Sequence, residues 1–241
     1  MFYIKILQFA FWMIVGCIIG LFKSITRWGD TELGKEYARF FSFRSLKAAN
    51  IQMEYHGLEN LEKQQPCIYT LNHQSNFDMA IYGEIYPSNT VIIGKKEIIW
   101  IPIFGLFYKA SGHIMIDRKK ISKAKDALSQ VVEQIKTRKV SVWVFPEGTR
   151  NTSGIQLLPF KKGPFHMAID AQVPIVPVVS SNLNNVMSAK EKIIKGGKMV
   201  VKVLPPISTL GLTSENVSEL VDNVRNIMQK TLDEVNELAK K

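Results

Sequence analysis

His73 and Asp78 stand five residues apart in the segment Asn72-His73-Gln74-Ser75-Asn76-Phe77-Asp78, which leaves an apolar run and enters a helical one. On one continuous helix that spacing would place the two side chains about 140° apart around the axis. They meet only if the chain turns between them. A strand-to-helix turn does this, leaving His73 at the carboxyl end of a strand and Asp78 in the first helical turn, where the dipole favours a carboxylate. The carboxylate would then hold one ring nitrogen protonated and leave the other free to take a proton from an alcohol. A loop histidine beside a helix-capping aspartate gives the same spacing without chemistry. Ser75 is too close to His73 in sequence to be presented to it, and no Gly-x-Ser-x-Gly elbow occurs. Direct transfer is therefore expected ahead of a covalent serine intermediate.

A second segment, Phe145-Pro146-Glu147-Gly148-Thr149-Arg150, also follows an apolar run, Val140–Phe145. Pro146 ends a strand ladder, and Gly148 allows close backbone approach. Glu147 and Arg150 are expected to project from one tight loop. They either pair with each other and stiffen the turn, or serve a substrate, Arg150 forking onto phosphate oxygens and Glu147 accepting from a hydroxyl. Further bases end other apolar runs: Lys95 and Lys96 after Val91–Gly94, and Arg118 after Gly112–Asp117. In a parallel sheet Lys95, Arg118 and Arg150 would converge on the edge that holds His73. Three cations beside a base describe a phosphate-bearing alcohol as substrate. Lys119, Lys120, Lys123 and Lys125 read as a solvated helix face, or as one that meets anionic lipid or an acidic carrier. His113 and His166 read as structural.

The elements that must position these residues alternate in type. Strands are expected near 51–55, 67–71, 91–94, 113–116, 140–145, 175–179 and 199–203, with helices near 79–86, 97–110, 122–138 and 164–171. That alternation implies βα units and a largely parallel sheet. At the C-terminus, Val217, Leu220, Val221, Val224, Ile227, Met228, Leu232, Val235 and Leu238 recur at helical spacing. Thr213 is the expected N-cap.

The chain has 241 residues and a formal charge of +10, with 46% hydrophobic residues and two cysteines. Disorder, collagen and disulfide scaffolds are excluded by that balance, and the cysteines lack any metal-ligand spacing. The charge is uneven: fourteen bases face five acids in residues 94–163, and seven face three in residues 1–50. Ile6–Phe22 is an uncharged run of 17 residues, apolar on every face, at the short limit for a membrane span. No small-x-small cleavage site follows it, which disfavours a signal peptide; a core helix is the other alternative. The run is expected to lie in one leaflet. Tyr37–Ala49, which mixes aromatics with Arg39, Arg44 and Lys47, would lie at the headgroups or pack on the first helix.

Taken together, these segments resemble the glycerolipid acyltransferase family that includes the 1-acyl-sn-glycerol-3-phosphate acyltransferases. Asn72–Asp78 is similar to its Asn-His-x-Ser-x-x-Asp block, Gly112–Arg118 to its Gly-x5-Arg block, Phe145–Arg150 to its Phe-Pro-Glu-Gly-Thr-Arg block, and Val173–Val178 to its Val-Pro-x-x-Pro block. Met115 and Asn151 depart from the common residues there. The resemblance implies an α/β domain over residues 51–241, a mostly parallel sheet flanked by helices, preceded by a membrane-associated helical segment, 1–50. It implies that His73 deprotonates the sn-2 hydroxyl of lysophosphatidate while Asp78 orients it. Lys95, Arg118 and Arg150 would hold the phosphate and Glu147 the glycerol backbone, with Gly148 and Thr149 also substrate-binding and Pro174 and Pro177 walling the acyl side. The co-substrate would be a thioester of coenzyme A or of acyl-carrier protein, with no cofactor or metal. The implied setting is an anionic membrane, at its cytoplasmic face. Another lysophospholipid or hydroxylated lipid is the alternative acceptor. A non-catalytic binder of membrane or nucleic acid has only the charge in its favour, and the bases are not one run interleaved with aromatics. No nucleic-acid partner is expected.

Overall fold

The computed structural model describes residues 2–116 and 124–240. Arg118, Lys119, Lys120 and Lys123 lie outside them. Two helices open the chain, α1 (Phe2–Ser24) and α2 (Glu32–Ala49), and a βα alternation follows. It runs β1 (Ile51–His56), β2 (Ile68–Leu71), α3 (Asp78–Gly83), β3 (Thr90–Lys95), α4 (Phe104–Ala110), β4 (Ile114–Ile116), α5 (Ala124–Arg138), β5 (Ser141–Val144), α6 (Gly163–Ala171) and β6 (Ile175–Ser180). A short hairpin, β7 (Met187–Ser188) and β8 (Ile193–Ile194), then precedes β9 (Gly197–Val203) and the long helix α7 (Val217–Leu238).

Seven strands form one sheet in the order β1-β9-β6-β2-β5-β3-β4, with every pairing parallel except β6 with β9. All seven strands expected from the apolar runs are present. The hairpin was not anticipated, because two-residue strands leave no periodic signal. The expected 97–110 helix is instead a 3-10 turn, Lys96–Trp100, followed by α4. Pro102 removes a backbone donor between them.

Helices cover both faces of the sheet. Alternation along each strand decides which residue meets which layer: in β2 and β5, Ile68 and Val142 pack toward α5, α6 and α7, while Tyr69 and Trp143 pack toward α2 and α3. The C-terminal stripe is buried through Leu220, Val224, Met228, Leu232 and Val235, and Thr213 with Asn216 forms a reciprocal capping box at its start. The N-terminal helices share the first of these cores. Leu33, Tyr37, Phe41 and Leu46 of α2 are buried with Tyr69, Ile81 and Phe107. α1 rests on that layer through Phe9, Gly16, Cys17 and Gly20, and a Cβ at Gly20 would stand 2.2 Å from the Phe107 ring. Its outer face, including Leu7, Phe11, Ile14, Ile18 and Phe22, is bare. α1 has 23 residues, about 34 Å at the helical rise, so it is longer than the uncharged run within it.

Candidate active site

The site lies where a parallel sheet offers one, beyond the carboxyl ends of adjacent strands. β2 and β5 are neighbours in register, Thr70 opposite Val144, so His73 and Glu147 both fall three residues past that pair. β3 pairs with β5, Ile92 opposite Trp143, and Lys95 ends β3 three residues on. The extended backbone ends at Leu71, and α3 begins at Asp78. Between them the chain turns back on itself.

That turn is organised by the Asp78 carboxylate. Its Oδ2 lies 2.7 Å from His73 Nδ1 and also accepts the backbone N–H groups of Gln74, at 2.6 Å, and Ser75, at 3.1 Å. Asp78 is only 2% exposed, so its charge is compensated by these donors rather than by water. A carboxylate can only accept, which places the proton on His73 Nδ1 and leaves Nε2 as the acceptor. The imidazole lies flat on Phe145, with ring centroids 4.1 Å apart and planes inclined by 19°. One ring face is thereby covered.

Glu147 differs from expectation. It does not project and does not pair with Arg150; it is 2% exposed. Its Oε1 accepts the backbone N–H of His73 at 2.9 Å, and its Oε2 that of Leu158 at 3.0 Å. Burial pushes its pKa above the ordinary carboxylate value, and the His73 and Leu158 N–H groups oppose that rise. With the Asn151 N–H donating to His73 carbonyl at 2.7 Å, the β5 loop grips His73 by both backbone groups. Gly148 takes φ +69° at the tip of this loop, a conformation that favours glycine. Thr149 and Arg150 are exposed, and Arg150 Nη1 donates to Asn76 Oδ1 at 3.1 Å. The guanidinium thus stands against the turn that carries the histidine. Lys95 is exposed at the end of β3. Pro174 and Pro177 do not wall this edge: Pro174 precedes β6, its carbonyl accepting from Ile68 N–H at the start of β2, and Pro177 lies within β6 opposite Thr70.

A buried polar network beneath the turn escaped the reading of the sequence. Asn72 exchanges two hydrogen bonds with the Ser180 backbone, Tyr82 hydroxyl donates to Asn72 Oδ1 at 2.6 Å, and Gln74 amide donates to Ser181 carbonyl at 2.8 Å. Gln74 Oε1 in turn accepts from Leu183 N–H at 2.9 Å. The network ties the β2 turn to the end of β6. Its signal was present as Ser180-Ser181 closing an apolar strand, but only the adjacency of β2 and β6 gives that pair a partner. His113 is structural, accepting from Ile92 N–H through Nδ1 at 3.3 Å and lying against Gly34 and the Tyr108 ring. Among the described residues no group of three or more His, Cys, Asp or Glu side chains is placed to hold a metal.

A carboxylate-held histidine at the carboxyl edge of a parallel sheet, with an arginine against its turn, has the layout of a base-assisted group-transfer site. The chain belongs to the acyltransferase family, whose model, described as Acyltransferase, matches residues 52–181. The 1-acyl-sn-glycerol-3-phosphate acyltransferase of Haemophilus influenzae is 36% identical over 221 residues, spanning 92% of this chain and 90% of that protein. The enzyme of that name from Saccharomyces cerevisiae is 38% identical over 229 residues, spanning 92% and 75%. The one from Escherichia coli is 41% identical over 169 residues, spanning 70% and 68%. The crystal structure of the 1-acyl-sn-glycerophosphate acyltransferase of Thermotoga maritima superimposes with a TM-score of 0.77 at 25% identity, covering 96% of this chain and 95% of that one.

Proposed function

We propose that this protein transfers an acyl group from a thioester to the sn-2 hydroxyl of 1-acyl-glycerol-3-phosphate, forming phosphatidate. The observation that carries the catalytic role is the 2.7 Å contact between His73 Nδ1 and an Asp78 carboxylate already fastened by two backbone N–H groups. In the reading offered, His73 Nε2 takes the proton of the hydroxyl as its oxygen attacks the thioester carbonyl. Asp78 stabilises the imidazolium that results. The tetrahedral intermediate collapses by breaking the carbon–sulfur bond, and the imidazolium returns its proton to the departing sulfur. No covalent enzyme intermediate is required.

Arg150, Lys95 and Arg118 bind the acceptor phosphate in this reading, and Gly148 and Thr149 border the glycerol. Glu147 acts on His73 through the backbone, in place of the glycerol contact expected for it. The bare apolar face of α1, with the exposed Trp100, Ile101 and Ile103 before α4 and Leu106 within it, enters one leaflet of the bilayer. The packed face of α1 stays on the protein. This keeps the site at the cytoplasmic interface, where thioester donors are found.

The test is acylation of labelled lysophosphatidate by the purified full chain with acyl-CoA or acyl-carrier protein, with other lysophospholipids as competing acceptors. Phosphatidate as the main product supports the reading; a product from another lysolipid would overturn the acceptor assignment. Arg150→Lys should raise the apparent KM for the acceptor more than for the donor, because an ammonium lacks the bidentate fork.

A further inference from the structure

Beside the His73 turn lies an open basin of about 930 Å³ that the motifs do not account for. One side is formed by Gln74, Ser75, Thr149 and Arg150, and the other by the β7–β8 hairpin with Lys190 and Lys195. Thr152, Ser153, Asn184 and Ser188 also line it, beside the apolar Leu183, Met187 and Ala189. Such a mixed lining suits an anion carried on an arm that alternates aliphatic segments with amide and hydroxyl groups. Three cations stand against the single carboxylate of Glu191, and Arg150, Lys190 and Lys195 take part in no ion pair among the described residues.

Topology separates two cationic banks. Lys95 lies on the β5–β3–β4 side of β2, whereas the hairpin follows β6, on the other side. The hairpin is held in place: Leu183 N–H donates to Gln74 Oε1, Asn184 amide donates to Thr152 carbonyl at 2.7 Å, and Lys195 N–H donates to Val186 carbonyl at 2.8 Å. An acyl transfer between two anionic substrates needs an anion site for each. In the acceptor, phosphate and reacting hydroxyl sit on neighbouring carbons, so its phosphate must lie near the base, where Arg150 meets Asn76. In the donor, phosphate and thioester are separated by the whole pantetheine arm with its amides. That arm requires polar groups along its path and a cation farther out.

We propose that Lys190 and Lys195 bind the phosphate of the donor's phosphopantetheine, with the basin taking the arm that leads to His73. This rests on the acyl-transfer reading above and adds the donor side of the same site. The shared ligand chemistry belongs to coenzyme A and to an acyl-carrier protein alike.

The experiment compares acyl-pantetheine, acyl-4′-phosphopantetheine and acyl-CoA as donors for the full chain and for the Lys190→Ala/Lys195→Ala variant. The wild-type preference for acyl-4′-phosphopantetheine over acyl-pantetheine should fall by roughly tenfold or more, as expected for losing a hydrogen bond to a charged group, while the lysophosphatidate KM holds. Glu191→Lys should move the preference the other way. If instead the preference is unchanged, or the lysophosphatidate KM rises with the donor's, the assignment fails. A loss of binding to anionic vesicles with donor preference intact would make the hairpin a headgroup contact and also defeat it. Calorimetric titration with free coenzyme A reads the cradle without turnover: weaker binding by the double variant supports it even if lysophosphatidate proves not to be the acceptor, and equal binding refutes it. An acyl-carrier protein arm then separates the two sources, since a carrier that adds nothing beyond its phosphopantetheine should show the same loss as the free thioester.

Discussion

Three contacts converge on one carboxylate oxygen, Asp78 Oδ2, which receives the His73 ring and two backbone N–H groups. Asp78→Asn would present an amide that can donate to the ring and so favour the wrong tautomer. A fall in kcat of about a thousandfold or more is expected for Asp78→Asn or His73→Ala, and the His73→Ala/Asp78→Ala double change should cost little more than His73→Ala alone. Steady-state kinetics giving independent, multiplicative losses would dissolve the pair. Glu147 holds the His73 and Leu158 N–H groups, and its replacement separates a positioning role from a substrate contact. Glu147→Gln keeps one acceptor oxygen and leaves either His73 N–H or Leu158 N–H without its partner, at about 1–3 kcal/mol. Lowered Tm and kcat with a nearly constant acceptor KM are expected from thermal melts and kinetics on one preparation. A raised acceptor KM at unchanged Tm would return Glu147 to the substrate.

At the scale of elements, His113 joins α2, α4 and β3, touching Gly34, Tyr108 and the Ile92 backbone. Burial, and secondarily the charge of Arg138, depress its pKa from the ordinary 6.5 to about 4. The unfolded chain therefore binds a proton that the folded one refuses in this window. The stability contributed by neutral His113 is complete above pH 6.5 and is lost as pH falls through about 4. Thermal melts across that range should show Tm falling with acidification, and His113→Gln should flatten the fall. An unchanged slope would mean that other groups dominate. Element boundaries escape periodicity for local reasons: Pro102 lies between the 3-10 turn and α4, and the two-residue strands of the β7–β8 hairpin are too short to show a period.

On the scale of the whole molecule, the two N-terminal helices play unequal parts. α2 buries Leu33, Tyr37, Phe41 and Leu46 in the core that covers one face of the sheet, whereas α1 leaves one side bare. At about 1.5–3 kcal/mol for each large apolar side chain, losing α2 removes an amount comparable with the 5–15 kcal/mol that holds a whole domain together. A chain lacking residues 1–50 is therefore expected to misfold, and one lacking residues 1–30 to stay folded, bind anionic vesicles more weakly and retain activity toward a short-chain soluble acceptor. Vesicle sedimentation, circular dichroism and the soluble assay check the three parts. A folded, active chain beginning at residue 51 would show that the α/β unit stands alone.

By itself the sequence determined the strand-and-helix alternation, the positions of the apolar seams and the turn that brings His73 to Asp78. These follow from local chemistry: periodicity, turn-forming residues and the ionisation of single side chains are properties of short segments. Tertiary structure decided what each polar group spends its hydrogen bonds on. Glu147 reads as a projecting carboxylate until β2 and β5 become neighbours and the His73 and Leu158 N–H groups reach it first. Pro174 reads as a site residue until the direction of β6 places it beside the start of β2. The Asn72–Tyr82–Ser180 network joins residues 108 positions apart, a separation that no local pattern encodes because the contact exists only once the crossover connections have set β6 beside β2.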